Sequence, residues 1–449
     1  MFLPHTDRER QEMLAVIGVK SIEELFTAIP EKYRFPDLKL PSGLTEMEAQ
    51  EVLSDLASWN DNLQEMICFL GAGAYHHYVP AVVDAIIRRG EFLTAYTPYQ
   101  AEVSQGTLQA IFDYQSLMTA LTAMDVSNAS HYDGATAVAE AVTMANAHFR
   151  GKRNKVILSP ALHPHYRQTI RTYHANTGIE FVGDEPEADL QSHPQQLADH
   201  LDTNTALVIV QYPDFFGRIY DYTELAAKTH QAGALFAVSV NPIALGLLKA
   251  PGEFGADIVT GEGQPLGIPL SYGGPYLGIF TTKKEFVRKM AGRLVGETVD
   301  NRGQKAYVLT LTAREQHIRR EKATSNICTN QGLMALAAAV YLSLVGKHGL
   351  RQVAELCYHK AHYAAQQISA IEGFSLWSSE PFFHEFVVRT PIPPAELNEK
   401  LLEYGIIGGY DLEKDYPSLK NHLMFAVTEM NSKEEIDYLV TTLAEVSHA

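Results

Sequence analysis

Three segments of the chain contain residues that could do chemistry. The first places two tyrosines and an amide, Tyr96, Tyr99 and Gln100, before a predicted helix whose first turn contains Ser104 and Gln105. Such side chains at a helix start can bind the carboxylate of a ligand or stack on its ring. A proline-containing turn packed by aromatic residues explains the same segment without a ligand.

A second segment places small polar residues directly before an alanine-rich helix, in the string SNASHYDGATAVAEAV. Gly134 stands at the predicted helix start, where free backbone N–H groups can bind a phosphate. An N-cap by the Asp133 side chain accounts for these residues almost as well and needs no ligand. The sequence leaves both interpretations open.

The third segment combines a basic cluster with small polar residues. The basic residues are Arg314, Arg319, Arg320 and Lys322, and the polar residues that follow are Thr324, Ser325 and Asn326. In a chain with 53 acidic and 36 basic residues, this cluster favours an anionic partner group. A solvated basic surface is the ordinary alternative.

The sequence contains no recognised metal or nucleophile motif: no HExxH, GxSxG, Walker loop or GxGxxG after a strand. His163 and His165 follow the predicted strand KVILS, where ligand crevices form, but packed histidines are common at such positions too. Cys68, Cys328 and Cys357 lie far apart, so we expect neither a disulfide framework nor a zinc site.

The composition is that of a soluble globular protein, with 449 residues, 46% hydrophobic and 20% charged. A formal charge of −17 argues against nucleic acid or an anionic membrane as the main partner. The apolar stretch GLMALAAAVYLSLVG, from Gly332, is shorter than the roughly 18 residues of a membrane span. We therefore expect a cytoplasmic protein.

The predicted elements divide the chain into three parts. Residues 1–65 have apolar residues near helical spacing and predict a helical arm, with helices over DRERQEMLAVIG, SIEELFTAIPEKYRF and TEMEAQEVLSDLASWNDNL. Residues 66–330 alternate strands and helices, as a parallel sheet with crossover helices requires, and residues 331–449 predict a smaller α+β domain. The expected fold class is α/β.

One crossover unit is signalled between Thr205 and Val240. Two apolar, β-rich segments flank a helix with Asp221 as predicted N-cap, Glu224 as its capping-box partner and Gly233 as the stop. This pattern predicts two parallel strands joined by a helix.

Three long strings resemble a known family. YTPYQAEVSQG, NASHYDGATAVAEA and REQHIRREKATSNICT are similar to segments of glycine dehydrogenase (decarboxylating), the P-protein of the glycine cleavage system. The similarity is strongest to subunit 1, the α subunit of the two-chain bacterial form. It implies a fold-type I architecture of the kind that binds pyridoxal phosphate (PLP).

The lysine that holds PLP in this family lies in a His-Lys pair, shortly before an Ile-Pro pair and a glycine run. This chain keeps Ile268, Pro269 and the run 273–275, but Gln264 stands at the lysine position and Gly263 precedes it. An amide nitrogen cannot form the imine with which PLP chemistry begins.

The family also has an aspartate that keeps the pyridine nitrogen of PLP protonated. The matching strand, ALFAVSV, has Ala237, Val238 and Ser239 in this region and no carboxylate. The resemblance therefore implies a chain with no catalytic residue of its own, no PLP and no metal.

The resemblance implies a subunit of an oxidoreductase that acts on a CH–NH2 group with a disulfide as acceptor. With a PLP-bearing β chain, in an α2β2 heterotetramer, it would decarboxylate glycine and pass the aminomethyl group to the lipoyl arm of H-protein. By analogy with other fold-type I enzymes, Thr324 and Asn326 would reach the partner's PLP. Tyr96, Tyr99 and Gln100 would approach glycine or the lipoyl arm.

Two alternatives remain at this point. The chain could be an independent PLP enzyme that uses another lysine, such as Lys249 in LGLLKAPG. It could also be a scaffold that binds H-protein or another partner without contributing to an active site.

Overall fold

The computed structural model describes residues 4–447, and the chain divides into two compact units between Asn62 and Leu63. The described part of the first unit, residues 4–62, contains two α-helices, α1 (Asp7–Ile17) and α2 (Glu46–Ser58). Each begins with a capping box, in which a threonine and a glutamate three residues later bond each other's backbone N–H groups.

The middle helix predicted for the arm is wrong. The segment SIEELFTAIPEKYRF forms two short 3-10 turns, Ile22–Phe26 and Glu31–Tyr33. Pro30 lacks the backbone N–H that a continuous helix needs, and the pieces on either side are too short to propagate.

The second unit contains the remaining helices and all strands of the described chain. The helices are α3 (Ala81–Ile87), α4 (Gly90–Leu93), α5 (Gln105–Thr122), α6 (Gly134–Phe149), α7 (Pro164–His174), α8 (Thr223–Gln231), α9 (Gln316–Arg319), α10 (Gly332–Ser369), α11 (Pro394–Glu403) and α12 (Lys433–Val446). The strands are β1 (Ile67–Cys68), β2 (Val126–Ser127), β3 (Lys155–Leu158), β4 (Glu180–Val182), β5 (Thr205–Tyr212), β6 (Leu235–Val240), β7 (Ile258–Glu262), β8 (Gly278–Thr282), β9 (Leu294–Val299), β10 (Lys305–Thr310), β11 (Ser375–Leu376), β12 (Glu385–Arg389), β13 (Ile406–Ile407), β14 (Tyr410–Asp411) and β15 (His422–Ala426).

A seven-stranded sheet forms the centre of this unit, in the order β2-β8-β7-β6-β5-β3-β4. The strands from β7 to β4 pair in parallel, whereas β8 is antiparallel to both β7 and β2. The sheet is therefore mixed, and its parallel part is the one that the alternating strands and helices predict.

The predicted crossover unit is confirmed: β5 and β6 are parallel neighbours joined by α8. Its predicted N-cap, Asp221, is wrong by one residue, because α8 begins at Thr223 with Tyr222 as N-cap. Asp221 lies earlier and accepts hydrogen bonds from the N–H and hydroxyl of Thr223 at 2.9 and 2.6 Å. An aspartate that bonds two residues ahead stabilises the turn into the helix.

The sheet separates two hydrophobic layers, because successive strand residues point to opposite faces. Toward α6 and α7 the strands contribute Val156, Leu158, Leu207 and Ile209, and toward α8 they contribute Ile157, Val208 and Val210. Both faces of the parallel strands are thus buried, which places ligand-accessible chemistry at the strand ends.

Helix α10 is long and apolar enough to cross a membrane by length and composition, and it is the one helix among residues 4–447 that meets this test. It is kinked at Gly346, whose φ of 57° lies in the left-handed region. Its first half packs its alanine-rich face against α3 and α5 in a hydrophobic core. Core helices of this kind have the same composition as membrane spans.

The C-terminal part forms an antiparallel sheet, in the order β11-β12-β15-β14, with α11 and α12 packed near it. Ser432 caps α12 with Glu435 as its capping-box partner, and α11 begins with Pro394, as the sequence predicts. Strand β1 pairs with β13, so residues 67–68 join this C-terminal part. The three-part division of the chain stays a prediction.

Candidate functional site

The loop between β7 and β8 holds Gln264, which is 1% exposed. Its Oε1 accepts the backbone N–H of Tyr75 at 2.9 Å. Its Nε2 donates to the carbonyl oxygens of Tyr75 at 3.0 Å and of Ile268 at 2.8 Å. The amide therefore pairs with the backbone of Tyr75 as a neighbouring strand would, and it ties together two segments that are far apart in the chain.

Glu262, the last residue of β7, bonds the start of helix α6. Its Oε2 accepts the N–H of Gly134 at 2.9 Å, and its Oε1 accepts those of Gln264 at 3.0 Å and Leu277 at 3.1 Å. Burial raises the pKa of Glu262 to about 7, against the lowering effect of these three N–H groups.

These contacts decide between the two interpretations of the segment before α6. Asp133 is the N-cap and accepts the N–H of Thr136 at 2.7 Å, so the cap is confirmed. The phosphate-binding alternative is wrong for Gly134, because its N–H already bonds the carboxylate of Glu262. A carboxylate at this helix start would also repel a phosphate.

A cavity of about 320 Å³, a figure that includes space open to solvent, lies at the carboxyl ends of β5, β6 and β7. Its lining includes Tyr75, His163, Tyr166, Gln211, Ser239 and Glu262. This is the position at which parallel α/β sheets bind ligands.

His163 lies at this cavity, as its place after β3 predicts, whereas His165 is exposed. The imidazole of His163 stacks on the Tyr166 ring, with 4.6 Å between ring centroids, and its Nε2 bonds the Ala72 carbonyl at 2.8 Å. Burial lowers the pKa of His163 to about 4, so the ring is neutral at pH 7.

The residues at this cavity and next to it do not fit PLP. Gln264, which precedes the lining residue Pro265, has no nucleophilic amine. Ser239 offers a hydroxyl where a carboxylate is needed, and Glu262 occupies the helix start. Lys249, the alternative anchor, is exposed and does not line the cavity. The independent PLP enzyme is therefore not favoured.

Thr324 and Asn326 lie on a segment before α10 that is anchored to the body at several points. Thr324 is half-buried beside a cavity that Arg293 also lines, and Asn326 is exposed beside a cavity that includes Tyr132 and Glu140. The two polar side chains therefore do not share one cavity.

Sequence reasoning missed the residues that hold this segment. Arg293 donates to the Cys328 carbonyl at 2.7 Å and to the side chains of Thr329 and Asn330 at 3.2 and 3.1 Å. Ser325 donates to Glu140 at 2.5 Å. These anchors lie far from the segment along the chain, so spacing offered no signal for them.

The aromatic residues predicted before α5 lie next to the same segment. Tyr96 is 74% exposed and lines a cavity with Asn330. Tyr99 is 58% exposed, and its ring lies 5.9 Å from the Arg293 guanidinium carbon. Gln100 is exposed in the turn before α5. The structure thus brings Tyr96 and Tyr99 to the segment after residue 324.

The basic cluster predicted from the sequence is divided in the structure. Arg314 is half-buried and donates to the carbonyl oxygens of Met290 and Gly292. The other members, Arg319, Arg320 and Lys322, are exposed. Arg314 therefore has a structural role, and the other three are available to a partner.

This fold is that of the fold-type I PLP-dependent enzymes. A glutamate decarboxylase from Lactobacillus brevis superposes with a TM-score of 0.69 at 12% identity, over 96% of this chain and 97% of that chain. At this identity the likeness concerns the fold alone. The expected fold class is confirmed.

The family to which the chain belongs is a narrower group than the proteins that share its fold. The model of the glycine cleavage system P-protein matches residues 1–443, and the chain belongs to this family. A relative from Thermomicrobium roseum, named probable glycine dehydrogenase (decarboxylating) subunit 1, is 54% identical over 447 residues, covering 100% of both chains. A crystal structure of a glycine decarboxylase (P-protein) in inhibitor-bound form superposes with a TM-score of 0.90 at 41% identity, over 99% of this chain and 100% of that chain.

Proposed function

We propose that this chain is the cofactor-free subunit of a two-chain glycine decarboxylase, and that a second chain carries the lysine and PLP. The observation that carries the proposal is Gln264, which stands at the lysine position with both ends of its amide bonded to backbone groups. The name of the relative, subunit 1, supports the existence of a second subunit.

In this proposal the pair decarboxylates glycine and transfers the aminomethyl group to the lipoyl arm of H-protein. This chain contributes an anchored surface beside the partner's active site. Thr324 and Asn326 face the partner's cofactor, and Tyr96, Tyr99 and Gln100 line the approach for glycine or the lipoyl arm. The exposure of Tyr96, Tyr99 and Gln100 supports this role, because exposed aromatic and amide groups suit contact with a second chain.

The first test compares the chain alone with the chain mixed with its proposed partner. The chain alone is expected to show no imine absorbance with PLP and no exchange of CO2 into glycine, and the mixture is expected to show both. Exchange by this chain alone would refute the proposal. Full activity of the partner alone would refute it too.

A second test separates a subunit that completes an active site from a scaffold. Thr324→Ala is expected to weaken PLP binding by the partner at least about 10-fold, because one hydrogen bond to a charged group is lost. Thr441→Ala, an exposed threonine on α12, is the matched control. PLP affinity equal to that of the control would favour the scaffold.

A further inference from the structure

A cluster of three potential metal ligands lies in the second unit, and none of the three lines the cavity at the ends of β5, β6 and β7. His77 comes from the segment before α3, Cys357 from the second half of α10 and Glu429 from the loop before α12. One donor atom from each side chain lies within 4.8 Å of the other two. The fold thus brings together residues whose sequence separations gave no hint of a common site.

The separations of these atoms suit a small tetrahedral ion. Zn²⁺ binds nitrogen and oxygen at about 2.0–2.1 Å and thiolate sulfur at about 2.3 Å, which sets ligand atoms about 3.3–3.6 Å apart. Cys357 Sγ lies 3.4 Å from Glu429 Oε2, and His77 Nδ1 lies 2.7 Å from the same oxygen. A shift of the imidazole by about 0.6 Å would bring His77 Nδ1 to the ligand spacing from this oxygen. One ring nitrogen of His77 and Cys357 Sγ lie within 4.8 Å of each other.

The ligand types select among metals. Imidazole and thiolate bind zinc and other borderline ions, whereas magnesium and calcium prefer oxygen atoms alone. One thiolate, one carboxylate and one neutral imidazole would neutralise a divalent cation. This matters because a net charge in a buried site carries a large desolvation cost.

Neighbouring groups fix the carboxylate in place. The backbone N–H of Tyr78 donates to Glu429 Oε1 at 2.7 Å, which leaves Oε2 to face the other two ligands. Lys360 Nζ donates to the Glu429 carbonyl at 2.6 Å and holds the loop. Contacts of this kind orient metal ligands in proteins. The Glu429 side chain is 10% exposed, so an ion has a route in from solvent.

We propose that His77, Cys357 and Glu429 form a zinc site, with water as the fourth ligand, that ties α10 to the loops on either side. Binding releases the thiol proton of Cys357 to solvent. The imidazole proton moves from Nδ1 to Nε2, which has no hydrogen-bond partner among residues 4–447.

The test uses the purified full-length chain, stripped with a chelator and titrated with zinc alone. We expect one zinc per chain by elemental analysis after dialysis, and an unfolding temperature that rises with zinc. Replacement by cobalt should produce the charge-transfer absorption of a cobalt–thiolate bond. Absence of stoichiometric zinc binding, or of that absorption, would overturn the proposal.

Variants locate the site. Cys357→Ser is expected to weaken zinc binding at least about 100-fold, since loss of a ligand should cost at least as much as loss of a supporting contact. Cys68→Ser and Cys328→Ser remove the chain's other thiols and should bind zinc as the wild type does. Equal zinc affinity in all three variants would assign the metal elsewhere and overturn the proposal. His77→Gln gives a second measurement that leaves the thiol in place.

Discussion

A substitution at Gln264, which stands at the lysine position of the family, tests what its side chain contributes to stability. Gln264→Met keeps the length and approximate volume of the side chain but removes its hydrogen bonds. In the wild type these bonds satisfy the N–H and carbonyl of Tyr75 and the carbonyl of Ile268. The variant leaves all three backbone groups buried without this partner.

The expected cost follows from the number of lost bonds. A hydrogen bond within a protein contributes about 1 kcal/mol net, and a buried group left without a partner costs about 1–3 kcal/mol. The Tyr75 carbonyl still accepts the N–H of His77 at 3.1 Å. Two groups left without this partner, the Tyr75 N–H and the Ile268 carbonyl, and one further lost bond therefore predict a loss of about 3 kcal/mol or more. That energy corresponds to a change of about 100-fold in an opening equilibrium at the Tyr75 amide.

Hydrogen exchange and urea unfolding measure this loss separately. The Tyr75 amide is expected to exchange about 100-fold faster in Gln264→Met, and the unfolding midpoint is expected to fall. Gln366→Met, on the exposed face of α10, is the matched control and should stay within about 0.5 kcal/mol of wild type. Equal hydrogen-exchange rates of the Tyr75 amide in both variants would refute the inferred hydrogen bonds between Gln264 and Tyr75.

Three further predictions concern neighbouring groups. Gln264→Lys alone should not decarboxylate glycine, because Ser239 supplies no carboxylate; CO2 release by this variant would show that Gln264 is misplaced in the family pattern. Burial raises the pKa of Glu385 from 4.5 to about 7, so its native form keeps a proton that the unfolded chain releases, and its contribution to stability falls between those pH values. The unfolding free energy of Glu385→Gln, measured by urea titration relative to that of the wild type, should therefore rise by about 3 kcal/mol as the pH rises from 5 to 8. A difference that stays constant over this range would contradict this. Asp214→Asn should cost about 3–5 kcal/mol in unfolding free energy, because it leaves the Arg218 guanidinium, 2.8 Å away, buried without its carboxylate; an unchanged midpoint would count against this pair.

Features encoded by neighbouring residues could be predicted from the sequence. The crossover between Thr205 and Val240 and the N-caps Asp133 and Ser432 rest on signals within a few residues, and the structure confirms them. The Asp221 cap was wrong because an aspartate before a helix can also bond a residue in the preceding turn. Local patterns thus locate an element better than they locate its first residue.

Contacts between distant segments could not be predicted. The sequence identified Gln264 as a replaced lysine, but its bonds to Tyr75 depend on how the loop after β1 lies against the loop after β7. Nothing in the local sequence indicated that Glu262 bonds Gly134 at the start of α6. The proximity of His77 to Cys357 could not be predicted either, because it results from the packing of α10 in the folded chain.

The hydrogen bonds between Gln264 and Tyr75 explain why an amide suits this position. Tyr75 presents both a donor and an acceptor, and glutamine supplies one of each at the end of its side chain. A lysine ammonium has three donors and no acceptor, so it would leave the Tyr75 N–H without a partner and bury a charge. Glutamate would have the opposite fault, since its second oxygen would face two carbonyl oxygens. Of these three side chains, glutamine alone therefore satisfies both backbone groups of Tyr75 without burying a charge.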